Sequence, residues 1–280
     1  MTNETARNNL TMATHEAAVK NWSAMPIKSV GTGSTVFRGL NAKYGHATAR
    51  AARRMPIGAS KNESNRFDGT VAPGIKCGAL NTATDEQGAL NENFALLRTI
   101  GPPILKSDHI RGSDFDVSHP GARSLIELTK KRPMFQFRLA RRKEVANFHS
   151  NSLRFREFLR KVEDDSGVQA ARRDLAKVGW ARESSSQVFL GAVVLPNDYS
   201  RPITRALGVA ALLNSNVQGL EADCVRHEVG GQDPSEGNLF LKGTEGQELT
   251  ELVPVARISA EIGTDGREHL HYDPVESLDE

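Results

Sequence analysis

The chain has 280 residues, a formal net charge of +2 and two cysteines, Cys77 and Cys224. This length can bury the core of one large domain, and two cysteines so far apart exclude a disulfide framework or a cysteine metal site. No window approaches the ~20 apolar residues of a membrane helix. We therefore expect a cytoplasmic protein without a membrane partner.

Residues 1–30 are predicted to form a flexible arm, because Met1 to Ser23 is rich in Asn, Thr and Ala and has few apolar anchors. Some exported bacterial effectors have leaders of this composition, so export is the alternative to a cytoplasmic location. Residues 31–280 are predicted to form one domain of the α+β class.

The first half of this domain combines strands and helices with a long polar loop. The predicted elements are a strand over Ser34 to Arg38, a helix over His46 to Arg54, a loop from Gly58 to Pro73 and a strand over Ile75 to Leu80. A capping-box pattern at Thr84 begins the next helix. At 100° per residue, Glu92 lies nearly opposite the apolar face of that helix, so its carboxylate faces solvent or a cleft.

The second half begins with a segment, Gly101 to Lys143, that has several prolines and little periodicity. Beyond it, apolar spacing predicts a helix over Phe148 to Val162 with arginines on its polar face, a strand over Ser186 to Leu195 and a helix from Ser200 to Leu213. Four short strands are predicted to follow, over Val217 to Ala222, Gly237 to Leu241, Leu252 to Ile258 and Glu268 to Tyr272.

Charge is unevenly distributed along the second half. Lys130 to Arg182 has fifteen Lys and Arg against six Asp and Glu, whereas Gly219 to Glu280 has four against fifteen. Such asymmetry is typical of a nucleic-acid surface, of two segments that face each other, or of a solvated insertion. We favour an insertion over residues 106–180 and do not expect nucleic acid as a partner.

Four residues of the first half have side chains suited to binding a dinucleotide. Arg38, at the end of its strand, can form a bidentate fork with phosphate, although such a residue is also often a plain ion-pair partner. Tyr44 can stack on nicotinamide or adenine, or be a half-buried structural residue. In the polar loop, Phe67 is expected to anchor the loop to the core, so that Arg66 points at a phosphate or into water.

Together these segments resemble the RES domain, a family with an ADP-ribosyltransferase-like fold that acts on NAD. The matching segments of the first half are Phe37-Arg38, Asn65-Arg66-Phe67-Asp68, Gly74 to Ala83, and Thr84 to Glu92. The second half matches more loosely, through Gly219 to Arg226 and Asn238 to Leu241. Here Cys224 stands at the family's serine position, and the tyrosine of the first-half strand is replaced.

The resemblance implies a mixed β core with flanking helices and a basic helical insertion at 106–180. It implies that the chain cleaves the nicotinamide–ribose bond of NAD+, by phosphorolysis or hydrolysis, as a toxin without a metal and with an antitoxin or chaperone protein as partner. Arg38, Glu92 and Tyr44 would be catalytic, and Arg38, Arg66, Phe67 and Cys224 would contact NAD+. Two alternatives stay open: a mono-ADP-ribosyltransferase effector that modifies a protein target, and a degenerate, non-enzymatic domain that serves as a structural or nucleic-acid-binding protein.

Overall fold

The structure, a computed structural model, describes residues 2–39, 67, 69–86, 89, 126, 129–130, 133–178, 201–223, 237–243 and 250–275. Within these residues, four α-helices and ten β-strands form a mixed α+β architecture. In chain order they are α1 (Asn3–Lys20), β1 (Ile27–Val30), β2 (Thr35–Gly39), β3 (Gly69–Ala72), β4 (Ile75–Ala83), β5 (Met134–Leu139), β6 (Lys143–Phe148), α2 (Leu153–Glu163), α3 (Ser166–Lys177), α4 (Arg201–Leu213), β7 (Gly219–Asp223), β8 (Gly237–Gly243), β9 (Leu252–Ile262) and β10 (Glu268–Pro274).

The strands form one sheet in the order β1-β6-β7-β8-β4-β2-β5-β9-β10, with β3 paired to β4. The pair β6–β7 is parallel, and the other described pairs are antiparallel. Val145 on β6 and Phe137 on β5 belong to the same buried cluster, although four strands separate them in the sheet order. The Lys143 ammonium at the start of β6 donates to Glu251, directly before β9, at 2.9 Å, although five strands lie between β6 and β9. The sheet therefore curls, and one of its faces encloses this cluster. We call this the enclosed face.

The opposite face of the sheet is covered by helices. Phe148 and Phe240 point to this helix-covered face and share a buried cluster with residues of all four helices. Within that layer, α1 packs on α3 and α4, and α4 packs on β3, β4 and β7. Among the described helices, none is long and apolar enough to cross a membrane.

The expectation of a flexible arm over residues 1–30 is wrong, because this segment contains a packed helix and a strand. Thr2 caps α1 by accepting a hydrogen bond from the Thr5 amide at 3.2 Å. The buried side of the helix includes Ala6, Leu10 and Ala18. Small side chains let a helix approach its neighbours closely, so burial here needs few large apolar residues.

Residues 133–178 are part of the central fold, which corrects the expectation of an insertion over 106–180 for this portion. β5 lies between β2 and β9, and β6 lies between β1 and β7. Neither strand was predicted from the sequence. β5 does alternate, with Phe135 and Phe137 buried on either side of the less buried Gln136, but it is only six residues long and follows a proline-containing stretch without clear periodicity. β6 buries residues on both faces and has no two-residue period.

Several predicted elements are confirmed. The helix predicted over Phe148 to Val162 is confirmed from Leu153 onward, whereas Phe148 is the last residue of β6. Phe155, Phe158 and Val162 on the apolar face of α2 are buried, and its arginines are exposed. α4 begins at Arg201 and ends at Leu213, with Ile203 and Leu207 in the core. The strands β2, β4 and β7–β10 lie where the alternation predicts them. The predicted elements over 46–54 and 186–195, and the predicted helix after 86 apart from residue 89, lie outside the described residues.

Candidate functional site

Arg38 lies near the end of β2 and points to the enclosed face of the sheet. Side chains alternate along a strand, so Arg38 points to the same side as Val36, which is buried in the enclosed cluster. The Arg38 side chain is half-buried. Desolvation by burial lowers the pKa of its guanidinium to about 10, so the group still carries its positive charge at neutral pH. A charge in these surroundings interacts with an anion more strongly than one in bulk water.

Strand register brings Arg38 into a row of residues that crosses the enclosed face. Arg38 pairs with Phe135 on β5, which pairs in turn with Arg257 on β9. On the other side, the pairing of Phe37 with Ala83 puts Arg38 opposite Thr82 when the antiparallel register is extended by one residue. From Thr82 the row continues through Leu239 on β8 to Glu221 on β7. At the other end of the row, Arg257 pairs with Asp273 on β10. We call this the central row.

Glu221, at one end of the central row, belongs to a buried charged cluster. His149 lies between two carboxylates, with Nδ1 2.6 Å from Asp223 Oδ1 and Nε2 2.9 Å from Glu221 Oε1. Lys28 Nζ donates to the same Glu221 oxygen at 2.6 Å. The amide of Ser150 donates to Asp223 Oδ2 at 2.8 Å. The cluster therefore joins β1, β7 and the residues that follow β6.

The electrostatics of this cluster favour the imidazolium form of His149. Burial by itself lowers the pKa of a histidine, but the hydrogen bonds and charges of Asp223 and Glu221 outweigh it and raise the pKa to about 9. Burial raises the pKa of Glu221 and Asp223, yet the hydrogen bonds from His149 bring both pKa values below their ordinary range. At neutral pH two cations, His149 and Lys28, therefore face two carboxylates.

The backbone beside the cluster leaves little room for another side chain. A Cβ atom on Gly237 would lie 3.1 Å from His149 Cε1 and 3.4 Å from Glu221 Oε1. The carbonyl of Gly237 accepts hydrogen bonds from the amide and the hydroxyl of Thr84, each at 2.9 Å. Thr84 follows β4, so the end of this strand lies beside the charged cluster.

Just after Thr84, Glu86 accepts a hydrogen bond from the hydroxyl of Tyr272 on β10. Burial and the neighbouring Glu86 carboxylate raise the pKa of Tyr272 above its ordinary value. The contact ties β10 to the segment that leads from β4 toward Glu92.

Phe67 is completely buried on the helix-covered face. Its ring makes edge-on contacts with Phe148 and Phe240, with centroid distances of 5.4 Å and 5.1 Å. This position agrees with the expected anchoring of the polar loop to the core. It also gives Phe67 the surroundings of a packing residue, on the side of the sheet opposite to Arg38.

The other predicted site residues, Tyr44, Arg66, Glu92 and Cys224, lie outside the described residues. Two of them follow described strands closely. Cys224 comes directly after Asp223, the last residue of β7, and Glu92 lies six positions beyond Glu86. The structure thus describes the strand ends from which both segments leave.

The charged cluster and Arg257 were not singled out from the sequence. The detectable signal was the presence of Glu221 and Asp223 at alternate positions of an otherwise apolar strand, since carboxylates are almost never buried without partners. Nothing local links them to His149, which is 74 positions before Asp223. Within the described residues, no group of His, Cys, Asp or Glu has the arrangement of a metal site.

Comparison with models of known protein families and with curated proteins finds no match to this chain.

Proposed function

We propose that this chain cleaves the bond between nicotinamide and ribose in NAD+, with Arg38 and Glu92 as its central residues. The observation that carries the proposal is the sheet order. β2, which bears Arg38, pairs with β4, which leads into the segment of Glu92. β7, which leads into Cys224, is separated from β4 by β8 alone. Arg38 and the ends of β4 and β7 thus lie in one region of the sheet.

The role of Arg38 follows from its charge and its burial. The diphosphate of NAD+ carries two negative charges, and a guanidinium can bind phosphate oxygens through two parallel hydrogen bonds. Because Arg38 is half-buried and partly desolvated, its attraction for this anion is stronger than that of an arginine in bulk water. Tyr44, six residues further along the chain, packs against the nicotinamide.

In the reaction, the bond between C1′ of the ribose and the nicotinamide nitrogen breaks, and its electron pair leaves with nicotinamide. An oxygen of water or inorganic phosphate bonds to C1′, and a water acceptor releases one proton to solvent. Positive charge develops on the ribose in the transition state, and the Glu92 carboxylate stabilises it. The charged cluster around His149 holds the end of β7 in a fixed position.

The test is to incubate purified protein with NAD+, with and without phosphate, and to identify products by mass spectrometry. We expect nicotinamide together with ADP-ribose or its 1-phosphate ester. Glu92→Gln should lower kcat by about 100-fold, as loss of one preorganised electrostatic group does. Arg38→Lys should raise the KM for NAD+ by about tenfold, because an ammonium cannot reproduce the planar fork.

The matched control is Arg138→Gln, which removes an exposed arginine from β5 and should leave both constants unchanged. Wild-type protein that leaves NAD+ intact would overturn the proposed reaction. Cleavage by Glu92→Gln at the wild-type rate would overturn the assignment of Glu92. Transfer of ADP-ribose to a protein in a cell extract, with no free ADP-ribose formed, would instead identify a mono-ADP-ribosyltransferase.

A further inference from the structure

Arg257 on β9 is the second arginine of the central row. Arg38, Phe135 and Arg257 occupy paired positions on the adjacent strands β2, β5 and β9. Paired residues of antiparallel strands project to the same face. Both guanidinium groups therefore belong to the enclosed face, one on each side of Phe135.

The side chain of Arg257 has one buried N–H group without a described hydrogen-bond partner. It is half-buried, and its Nε atom is fully buried yet makes no hydrogen bond within the described part of the chain. Buried polar atoms in proteins are nearly always hydrogen-bonded, so an exception needs a physical explanation. A guanidinium has five N–H donors and no acceptor, so the missing partner must be an acceptor.

The nearest carboxylate in the row does not supply that partner. Asp273 pairs with Arg257 across β9 and β10. Its two oxygens are instead engaged by the Ser259 hydroxyl, at 3.1 Å, and by His271 Nε2, at 3.2 Å. No ion pair joins Arg257 to Asp273 among the described contacts.

The spacing of the two arginines fits an anion with two centres. Neighbouring strands are about 4.8 Å apart, so the backbones of β2 and β9 are separated by about 10 Å. The side chains of the two arginines can therefore approach each other over the ring of Phe135. There, each guanidinium would bind one phosphate of a diphosphate.

We propose that Arg257 binds the second phosphate of a diphosphate ligand whose first phosphate is bound by Arg38. This inference rests on the proposed function for the identity of the ligand as NAD+, but the diphosphate contact can be measured without turnover. It assigns Arg257 to binding, so its loss acts on KM and leaves kcat unchanged.

The experiment measures binding of ADP and AMP by calorimetry to the wild type, Arg257→Gln, Arg257→Lys and the exposed control Arg138→Gln. We expect Arg257→Gln to weaken ADP binding by about tenfold, as loss of a bidentate phosphate contact should. AMP binding should change by less than about threefold, because Arg38 alone serves a single phosphate. The affinity of Arg257→Lys for ADP should lie between those of the wild type and Arg257→Gln. This variant also tests the inference if Arg257→Gln does not fold.

ADP binding by the Arg257 variants with wild-type affinity overturns the inference, as does a wild-type protein that does not bind ADP. An equal loss of ADP and AMP binding overturns it too, because Arg257 would then not be specific to the second phosphate. Wild-type protein that binds ADP through Arg257 and yet leaves NAD+ intact supports the inference and refutes the proposed reaction.

Discussion

The imidazole of His149 approaches the Asp223 carboxylate to 2.6 Å, joining the end of β6 to the end of β7. The other ring nitrogen contacts Glu221, so both nitrogens face carboxylate oxygens. A histidine that donates on both sides must be protonated. The imidazolium therefore neutralises part of the negative charge of Glu221 and Asp223 on β7.

Replacement of His149 by Gln is expected to destabilise the protein by about 3 kcal/mol at pH 7, because it leaves the buried Glu221 carboxylate and the half-buried Asp223 carboxylate without a cation between them. Urea unfolding monitored by circular dichroism measures this change. The control is His271→Gln, which removes a half-exposed histidine that also lies beside two carboxylates, and should cost less than about 1 kcal/mol. Equal effects of the two substitutions would contradict the role of burial.

Stability should also depend on pH through His149. Its folded-state pKa is raised, to about 9, so its contribution is complete below the unfolded value of 6.5 and is lost as pH rises through about 9. Asp223 and Glu221 have lowered pKa values, so their contributions are present above their unfolded pKa values and are lost as pH falls. The difference in unfolding free energy between wild type and His149→Gln should therefore shrink between pH 6.5 and 10. A difference that stays constant over this range would refute the protonated state.

Gly208→Ala is expected to destabilise the protein by about 2 kcal/mol or more, because a Cβ atom on this residue of α4 would collide with the backbone of Phe67. Thermal unfolding provides the measurement. The matched substitution is Gly31→Ala, whose Cβ atom would be 3.8 Å from the nearest side-chain atom. This substitution should leave the stability of the protein nearly unchanged. Similar melting temperatures for the two variants would show that α4 does not approach Phe67 this closely.

The substitution Phe67→Leu distinguishes a packing role of the Phe67 ring from a contact with the ligand. Loss of the ring contacts with Phe148 and Phe240 should cost about 1–3 kcal/mol of stability. If the ring only packs, the KM for NAD+ should remain within about twofold of the wild-type value. Unchanged stability with a strongly raised KM would restore Phe67 to the set of ligand-binding residues predicted from the sequence.

Cys224→Ser restores the residue type of the RES resemblance. A hydroxyl is a better hydrogen-bond donor than a thiol, so we expect NAD+ cleavage at or above the wild-type rate. Cys224→Ala removes the donor and should lower kcat by about tenfold. Cys77→Ser is the control for general effects of losing a thiol. Full activity of Cys224→Ala would exclude a role for this side chain.

Local sequence patterns predicted much of the fold. Ile203 and Leu207 identified α4, and alternation identified β2 and most of the strands after residue 217. The patterns failed where burial was not periodic, as in β6, which buries residues on both faces. They also failed at α1, where small residues such as Ala6 pack closely against other helices.

The candidate site could be predicted only in part, for a different reason. Arg38 was identified because it ends a strand within a motif of adjacent residues. The neighbours of Arg38 in the central row come from strands that pair across long stretches of sequence, so Arg257 carried no local signal. His149 and Asp223 likewise become partners only when β6 and β7 align.

The parallel pairing of β6 with β7 has a kinetic consequence. Parallel neighbours cannot be joined by a tight hairpin, and the chain between these two strands includes α2, α3 and α4. That whole crossover must fold back before the strands meet, which makes their contact entropically costly to nucleate. The region around His149 should therefore gain amide protection from hydrogen exchange late during refolding, after the β9–β10 hairpin.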